Sequence, residues 1–250
     1  MRLLKHLFPE RATPTPSRVL DAGLTYLSLA ALEDLDRTVR ALEKRQVAGT
    51  FIEAGCALGG SALVIAAAKR PTRPFEVYDT FGMIPPPSAK DGADVQRRYD
   101  EISSGRSKGI KGAIYYGYQD NLLQRVNDTF RRYGLDPDRS HVRFNPGLFE
   151  DTLRIAAPVA FSHIDGDWYE SVHCCLSRIE PWLVPGGVLV IDDYDAWSGC
   201  RQAVDDYFSE KKSDFDWTKR ARLHITRKGP SRATPTAQIT PAASAHGRRE

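Results

Sequence analysis

The sequence lacks any uninterrupted run approaching the ~20 apolar residues that a membrane-spanning helix requires. The N-terminus does not show the pattern of a signal peptide, because its short apolar patch is broken by Lys5 and His6 and no small-residue cleavage site follows. We therefore expect a cytoplasmic protein without a membrane partner. A chain of 250 residues, 41% of them hydrophobic, is long enough for one well-buried core.

Cysteine is scarce, and its spacing excludes two kinds of structure. The four cysteines are Cys56, Cys174, Cys175 and Cys200, of which two are adjacent and none forms a CxxC pair. This arrangement provides neither a disulfide framework nor a zinc site. We expect buried or half-buried free thiols, in keeping with the usual burial of unpaired cysteine.

An excess of basic charge is confined to the two ends of the chain. Residues 1–18 carry four basic side chains against one acidic, and residues 229–250 carry three against one. The summed net charge of these two ends is larger than the formal net charge of the whole chain, which is +3, so the residues between them carry a slight negative charge. The central region lacks the basic surface of a nucleic-acid-binding protein, and we predict no nucleic-acid partner.

The composition of the two ends also differs from that of the middle. Residues 229–250 are rich in Pro, Ala, Ser and Thr and cannot bury enough surface to offset the entropy of ordering, so we predict a disordered tail. Residues 1–18 are interpreted as an N-terminal linker. Residues 19–228 are expected to form one domain with a helical extension at its N-terminus.

Strand-like and helix-like segments alternate within this domain. Short apolar runs predict buried strands at 50–54, 75–79, 141–144, 159–165 and 188–192. Helical spacing predicts a helix capped by Ser28 and others at 61–68, 122–133, 171–182 and 201–208, with a short one from Phe149. We expect a turn at 185–187 (Pro-Gly-Gly) and a final edge strand or hairpin arm at 221–227. The alternation predicts βαβ units and an α/β fold with a mostly parallel sheet.

Acidic residues stand at or just after the ends of the predicted strands. In parallel sheets, ligands bind at the carboxyl ends of the strands. We therefore expect these side chains to meet at one rim of the sheet: Glu53, Asp79, Asp165, Asp192 and Asp193.

A glycine-rich turn, EAGCALGGS at 53–61, joins the first predicted strand to the next helix. Its Gly-x-x-x-Gly-Gly spacing differs from the fingerprint of dinucleotide-binding proteins. Glu53 and the positive helix start would suit a ligand with an ammonium and a carboxylate, such as the methionine end of S-adenosylmethionine. Ser61 could cap the helix or bind such a carboxylate, and Asp79 could accept hydrogen bonds from ribose hydroxyls. A purely structural turn remains an alternative.

Five aspartates lie in two short stretches, HIDGDWY at 163–169 and IDDYD at 191–195. Carboxylates this close raise one another's pKa unless a cation joins them, and their hard oxygen atoms favour Mg²⁺, Ca²⁺ or Mn²⁺. The alternative is that they cap helices and form turns. His163 and His224 are interpreted as core histidines. The neighbouring aromatic residues are either core or the walls of a pocket: Trp168, Tyr169, Tyr194 and Trp197.

Several stretches make the sequence resemble the macrocin O-methyltransferase (TylF-type) family of S-adenosylmethionine-dependent enzymes. They are TFIEAGCALGGSA, VYDTFGMIPPPSAKDG, GLFEDTL, HIDGDWYESV and LVPGGVLVIDDYDAWSGCRQAVDDYF, spread over most of residues 25–227. The resemblance implies the Rossmann-like class I methyltransferase fold, a seven-stranded, mostly parallel sheet with an antiparallel last strand and helices on both faces. It also implies Mg²⁺-dependent transfer of a methyl group from S-adenosylmethionine to a small-molecule hydroxyl, typically on a sugar of a natural product or a nucleotide sugar.

The same resemblance assigns roles to individual residues. Asp165, Asp192 and Asp193 match the metal ligands of the family, and Asp167 matches its proposed general base. The implied cofactor site comprises Glu53, Gly55, Ala57, Ser61, Asp79, Thr80 and Asp165. Similar spacing in catechol O-methyltransferase places the residues matching Phe149 and Glu150 beside the adenine. The turn departs from the family at Ala57 and Leu58, where a bulky aromatic or basic residue is common.

Residues 84–118 form a long segment with three consecutive prolines and many Gly, Ser and Lys residues. Loops of this length in compact domains are usually functional, so we expect a lid over the acceptor. The resemblance also implies a homo-oligomer.

Alternative functions follow from the same features. A catechol-like O-methyltransferase and a non-catalytic S-adenosylmethionine-binding protein would both keep the glycine-rich turn. A nicotinamide-dependent oxidoreductase is disfavoured by the missing third glycine and by the Asp192-Asp193 pair. Metal-dependent hydrolysis would leave the turn after Glu53 unexplained.

Overall fold

Five parallel strands and an antiparallel hairpin form one seven-stranded sheet in the computed structural model, which describes residues 13–229. The strands are β1 (Thr50–Ala54), β2 (Phe75–Asp79), β3 (Val142–Pro146), β4 (Val159–Ile164), β5 (Leu183–Ile191), β6 (Phe215–Lys219) and β7 (Leu223–Arg227). Their order is β3-β2-β1-β4-β5-β7-β6; β7 pairs in antiparallel fashion with both β5 and β6, and the other pairs are parallel. The predicted seven-stranded, mostly parallel sheet is confirmed.

Helices cover both faces of this sheet. They are α1 (Pro16–Asp21), α2 (Leu29–Lys44), α3 (Gly60–Ala68), α4 (Ala93–Ser103), α5 (Leu122–Arg132), α6 (Phe149–Thr152), α7 (Tyr169–Ile179) and α8 (Ser198–Phe208). Neighbouring β1 residues Phe51 and Ile52 belong to opposite cores, as the two-residue period of a strand requires. One core joins the sheet to α1, α2, α3 and α5, and the other joins it to α7 and α8.

The N-terminal linker ends earlier than predicted. Helix α1 begins at Pro16, inside the residues interpreted as linker, and the Thr15 hydroxyl accepts a hydrogen bond from the Arg18 amide. Proline at the first helical position and threonine at the cap both favour a helix start there. Residues 1–12 and most of the predicted disordered tail, from 230 onward, lie outside the described residues.

The predicted turn at 185–187 lies within β5, which is a correction. Leu183 pairs with Val159 and Val188 pairs with Phe161, so six β5 residues span the same length as three on β4. The prolyl and glycyl residues therefore form a bulge between two paired parts of one strand. Gly186 has a φ of +74°, a conformation that glycine adopts without strain.

The C-terminal hairpin also differs in part from the prediction. Strand β7 is a hairpin arm, but it lies between β5 and β6, so the edge-strand alternative is wrong. The outer strand β6, with sequence FDWTK, was not predicted. Its polar residues face solvent at the sheet edge, which weakens the alternating apolar pattern by which strands are identified.

Two sequence-based expectations concern location and thiols. Within residues 13–229, no helix is long and apolar enough to cross a membrane. The four cysteines are free thiols, three of them buried and Cys174 half-buried, as predicted.

Candidate active site

A cavity of about 330 Å³ opens at the carboxyl ends of the parallel strands. Ligands bind at this edge in doubly wound sheets. Most of the predicted site residues line the cavity: Gly55, Ala57, Asp79, Thr80, Phe149, Glu150, Asp165, Asp167, Asp192 and Asp193. The sheet topology thus brings together residues that are up to 138 positions apart, from Gly55 to Asp193.

The glycine-rich turn after β1 passes close to the backbone of Asp165, because glycine has no side chain. Gly55 has a φ of +90°, and a Cβ atom there would collide with the Asp165 carbonyl oxygen. Gly59 has a φ of +84° and stands at the N-cap of α3. Ser61 lies two residues further on and therefore does not cap this helix, contrary to one of its two predicted roles.

Asp79 organises this turn through backbone hydrogen bonds. Its Oδ2 accepts bonds from the amides of Cys56 at 2.7 Å and Ala57 at 2.9 Å, and its Oδ1 accepts one from Phe81 at 2.7 Å. Burial raises the pKa of Asp79, and these amides oppose the rise. The carboxylate lines the cavity, while much of its accepting capacity is committed to the backbone.

Glu53 lies behind the cavity wall, fully buried, and Ser61 lies beside it in the same interior. Glu53 Oε1 is 2.8 Å from His163 Nδ1. Burial raises the pKa of Glu53, whereas His163 and the Ser61 hydroxyl oppose that rise. The cofactor roles of Glu53 and Ser61 stay predictions, since neither side chain lines the cavity of the described chain.

His163 connects Glu53 to Asp192 through the interior. Its Nε2 is 3.5 Å from Asp192 Oδ1, which also accepts a 2.6 Å bond from Arg222 Nε. Burial disfavours the imidazolium, but the nearby carboxylates of Asp192 and Glu53 raise the pKa of His163 to about 9. Burial alone would raise the pKa of Asp192, but His163 and Arg222 lower it.

The remaining carboxylates gather around Asp165. Two groups of potential metal ligands have their donor atoms within 4.8 Å of one another: His163, Asp165 and Asp192, and Asp165, Asp167 and Asp193. Asp165 is common to both, whereas Asp192 and Asp193 do not share a group within the described residues. The predicted three ligands are therefore adjacent, with Asp165 between the other two.

Burial and mutual repulsion dominate the electrostatics of this cluster. Both raise the pKa values of Asp165 and Asp193 well above the usual range of a carboxyl. Among the residues that the structure describes, Asp193 Oδ2 is buried without a hydrogen-bond partner. A hard cation would satisfy that oxygen and relieve the repulsion, so the donor set fits Mg²⁺.

Asp167 belongs to the group that contains Asp165 and Asp193. It has a φ of +54°, and its Oδ1 accepts a 3.1 Å hydrogen bond from Trp197 Nε1. Burial and then the charge of Asp192 raise the pKa of Asp167 to about 7, against the opposing effects of Trp197 and Arg98. A carboxyl with this pKa can exchange a proton near neutral pH.

Several cavity residues were not predicted from the sequence. They include Tyr26 from the segment after α1, Arg98, Tyr115 and Tyr116 from residues 84–118, and Arg222 from the turn before β7. Tyr115 and Tyr116 form a close aromatic pair with ring centroids 4.5 Å apart. Adjacent tyrosines in an otherwise polar segment were a usable signal, but nothing in the sequence around Arg222 indicated its contact with Asp192.

The sheet order, the turn after β1 and the cavity at the strand ends define the class: the protein is a class I S-adenosylmethionine-dependent methyltransferase. The sequence profile of the macrocin-O-methyltransferase (TylF) family matches residues 11–219. The chain belongs to this family and is an O-methyltransferase.

Characterised relatives are similar over most of their length. A tetracenomycin 4'-O-methyltransferase of Streptomyces olivaceus, whose substrate carries a dimethoxyrhamnosyl group, is 34% identical over 205 residues, covering 78% of this chain and 73% of the relative. Mycinamicin III 3''-O-methyltransferase of Micromonospora griseorubida is 29% identical over 207 residues, covering 80% and 76%. The solved O-methyltransferase NovP superimposes with a TM-score of 0.68 at 25% identity, covering 82% and 83%. A Bacillus cereus O-methyltransferase solved with S-adenosylhomocysteine (SAH) shares the fold, with a TM-score of 0.52 at 13% identity, covering 89% and 94%.

Proposed function

We propose that the protein is a Mg²⁺-dependent O-methyltransferase that methylates a sugar hydroxyl, either on a finished natural product or on a nucleotide sugar. The observation that carries the proposal is the carboxylate cluster around Asp165, in which Asp193 Oδ2 is buried without a partner among the described residues. The sugar acceptor is supported by relatives whose names specify methylation at primed positions of glycosylated compounds.

Asp165, Asp192 and Asp193 would hold the magnesium ion. When bound, the ion would supply positive charge that favours the deprotonated form of an adjacent hydroxyl. His163 and Arg222 contact the Asp192 carboxylate from the interior side and hold it in place. Such outer contacts orient ligands and tune their affinity.

Asp167 would accept the proton of the acceptor hydroxyl. Its orientation is fixed by the hydrogen bond from Trp197, and without metal its pKa is about 7; a bound cation would lower this pKa and favour the carboxylate form that accepts a proton. A lone pair of the acceptor oxygen forms the new bond to the methyl carbon while the carbon–sulfur bond breaks. SAH then leaves with the electron pair of that bond, and the proton remains on Asp167.

The walls of the cavity would position the acceptor. Tyr115, Tyr116 and Trp168 are mostly buried aromatic residues that line it beside Asp167. Aromatic faces bury the apolar face of a sugar ring and exclude water from the reacting atoms. In-line displacement at carbon depends strongly on such positioning.

The experiment is a transfer assay with S-adenosylmethionine and a panel of acceptors: rhamnosides, deoxythymidine diphosphate-rhamnose and catechol. We expect SAH formation with a sugar acceptor, and a methyl ether on a ring hydroxyl by NMR. Asp167→Asn should lower kcat by about 10²–10⁴-fold, the usual contribution of a general base. The matched control is Asp195→Asn, since Asp195 lies on the neighbouring loop between β5 and α8 but is half exposed and paired with Arg201 and Lys219. Methylation of catechol alone would contradict the sugar assignment.

Two further expectations concern assembly and location. We propose a homo-oligomer, as the family resemblance implies, and size-exclusion chromatography with light scattering would test it. A cytoplasmic location stays a prediction from the sequence.

A further inference from the structure

Helices α7 and α8 both begin directly after the carboxylate loops of the active site, and both lack a cap of their own. The residues at their N-cap positions are Trp168 and Trp197, and neither provides a side-chain hydrogen bond to the helix. Tryptophan has no side-chain acceptor, so the first amides of both helices need a partner from elsewhere.

Two aspartates of the segment 84–118 provide these missing caps. Asp91 Oδ1 accepts a 2.8 Å bond from the amide of Tyr169, the first residue of α7. Asp94 Oδ2 accepts a 2.9 Å bond from the amide of Ser198, the first residue of α8, and its Oδ1 accepts one from the Ser198 hydroxyl at 2.5 Å. A carboxylate at a helix start also interacts favourably with the helix dipole.

Glycine residues on both sides of these contacts leave room for the side chains that form the caps. A Cβ atom on Gly199, in the first turn of α8, would collide with the Asp91 carboxylate. A Cβ atom on Gly92, between the two aspartates, would collide with the Ser198 hydroxyl. The segment and the two helix starts are therefore complementary in shape as well as in hydrogen bonding.

The two tryptophans at these helix starts link the segment 84–118 to Asp167, the proposed general base. Trp168 Nε1 donates a 2.9 Å bond to the Pro85 carbonyl of the segment, and Trp197 Nε1 donates to Asp167 Oδ1. The two indole rings pack edge to face, with centroids 5.7 Å apart. A continuous set of contacts thus runs from the segment 84–118, through both helix starts, to Asp167.

We propose that Asp91 and Asp94 are positioning residues that cap α7 and α8 from a distant segment of the same chain. Through these caps, docking of the segment 84–118 is coupled to the geometry of the carboxylate loops. When the segment is docked, both helix starts are fixed and the loops before them hold their carboxylates in place. When it is undocked, both helices lose their caps together. The role of the loops in metal binding rests on the proposed function, whereas the capping does not.

The test compares Asp91→Ala, Asp94→Ala, Asp91→Asn and Asp94→Asn with the wild-type protein. Hydrogen–deuterium exchange would report the first turns of α7 and α8, and calorimetry would report the affinities for Mg²⁺ and for SAH. The matched control is Asp100→Ala, because Asp100 lies on α4 and accepts a bond from Gln96 of the same helix.

We expect each Ala variant to speed exchange in the first turn of its own helix about tenfold, the usual effect of losing a cap. Mg²⁺ affinity should fall about tenfold with it, while SAH affinity stays within about twofold of wild type. Asp94→Asn should restore both properties, because Asn caps a helix about as well as Asp. Asp91→Asn should restore them only in part, because Asp91 Oδ2 also accepts a bond from the Ser88 amide and asparagine has one acceptor oxygen. A merely structural contact would change exchange without changing Mg²⁺ affinity.

Unchanged exchange at Tyr169 and Ser198 in the Ala variants would overturn the capping. Faster exchange with unchanged Mg²⁺ affinity would overturn the coupling to the carboxylate loops. A wild-type protein that binds no Mg²⁺ would contradict the proposed metal site, and the exchange measurements would then decide the capping independently.

Discussion

Replacement of Asp79 with Asn tests how the glycine-rich turn is held. The carboxylate accepts hydrogen bonds from three backbone amides, those of Cys56, Ala57 and Phe81. Asparagine has the same shape but only one acceptor oxygen. Whichever way the amide is oriented, its NH₂ group must face a backbone donor, so at least one amide loses its partner.

The magnitude follows from this geometry. A hydrogen bond to a charged group contributes about 1.5–3 kcal/mol, and the bonds that remain become neutral and weaker. Asp79 is 6% exposed, so water cannot fully replace the lost acceptor. We expect the free energy of unfolding to fall by about 2–4 kcal/mol. Because the turn lines the cavity, SAH affinity should fall by at least about tenfold, or 1.4 kcal/mol.

Urea unfolding and calorimetric titration with SAH would measure these two effects. The matched control is Glu76→Gln, because Glu76 lies on the same strand but forms a more exposed pair with Arg143 at 2.7 Å. Such pairs contribute about 0–1 kcal/mol. If Asp79→Asn costs no more than the control and binds SAH as the wild type does, Asp79 does not hold the turn as described.

Three further predictions concern other parts of the fold. Burial lowers the pKa of Lys69 to about 8, so between pH 8 and its ordinary value of 10.5 the unfolded chain binds more protons and stability rises with pH. Over that pH range, the free energy of unfolding of the wild type should rise by roughly 1–2 kcal/mol relative to that of Lys69→Met. This value is reduced to account for screening of the ammonium group by solvent. Gly55→Ala should destabilise the protein by more than about 3 kcal/mol in thermal unfolding, because the new methyl group would collide with the Asp165 carbonyl oxygen at a positive φ. Arg222→Gln should lower the free energy of unfolding of the metal-free protein by about 1–3 kcal/mol, because Asp192 loses one of its two charged partners and keeps only His163.

Each of these expectations has a contradicting result. Parallel pH profiles of wild type and Lys69→Met would mean that the Lys69 pKa is not lowered. A Gly55→Ala variant as stable as wild type would show that the turn can move away from Asp165. Equal stability of Arg222→Gln and wild type in EDTA would show that the contact with Asp192 contributes nothing.

The sheet could be predicted from the sequence because its parallel strands are buried on both faces. Strands such as β1 and β4 are short, mostly apolar runs with an acidic residue near or just after the end, and the carboxyl-end rule then placed Asp79, Asp165 and Asp192 at one rim. The outer strand β6 has polar, exposed positions and gives no such signal. The bulge at 185–187 appeared as a turn because proline and glycine have the same local preferences in both structures.

The starts of α7 and α8 show what local sequence cannot reveal. The predictions began these helices at Ser171 and Arg201, whereas the structure begins them at Tyr169 and Ser198. Tryptophan is a poor cap, and the caps come from distant residues: Asp91 is 78 positions upstream of Tyr169, and Asp94 is 104 positions upstream of Ser198. The burial of Glu53 against His163 is likewise a tertiary contact, since the two residues are 110 positions apart.

The central claim is that methyl transfer depends on a divalent cation held by the carboxylates around Asp165. The most direct measurement strips the protein with EDTA, removes the chelator, and follows SAH formation as Mg²⁺ is added back, for wild type and Asp192→Ala. We predict that stripped wild type is inactive and recovers with saturable Mg²⁺ dependence. Asp192→Ala should stay inactive while still binding SAH. Full activity of the wild type in excess EDTA would contradict the account.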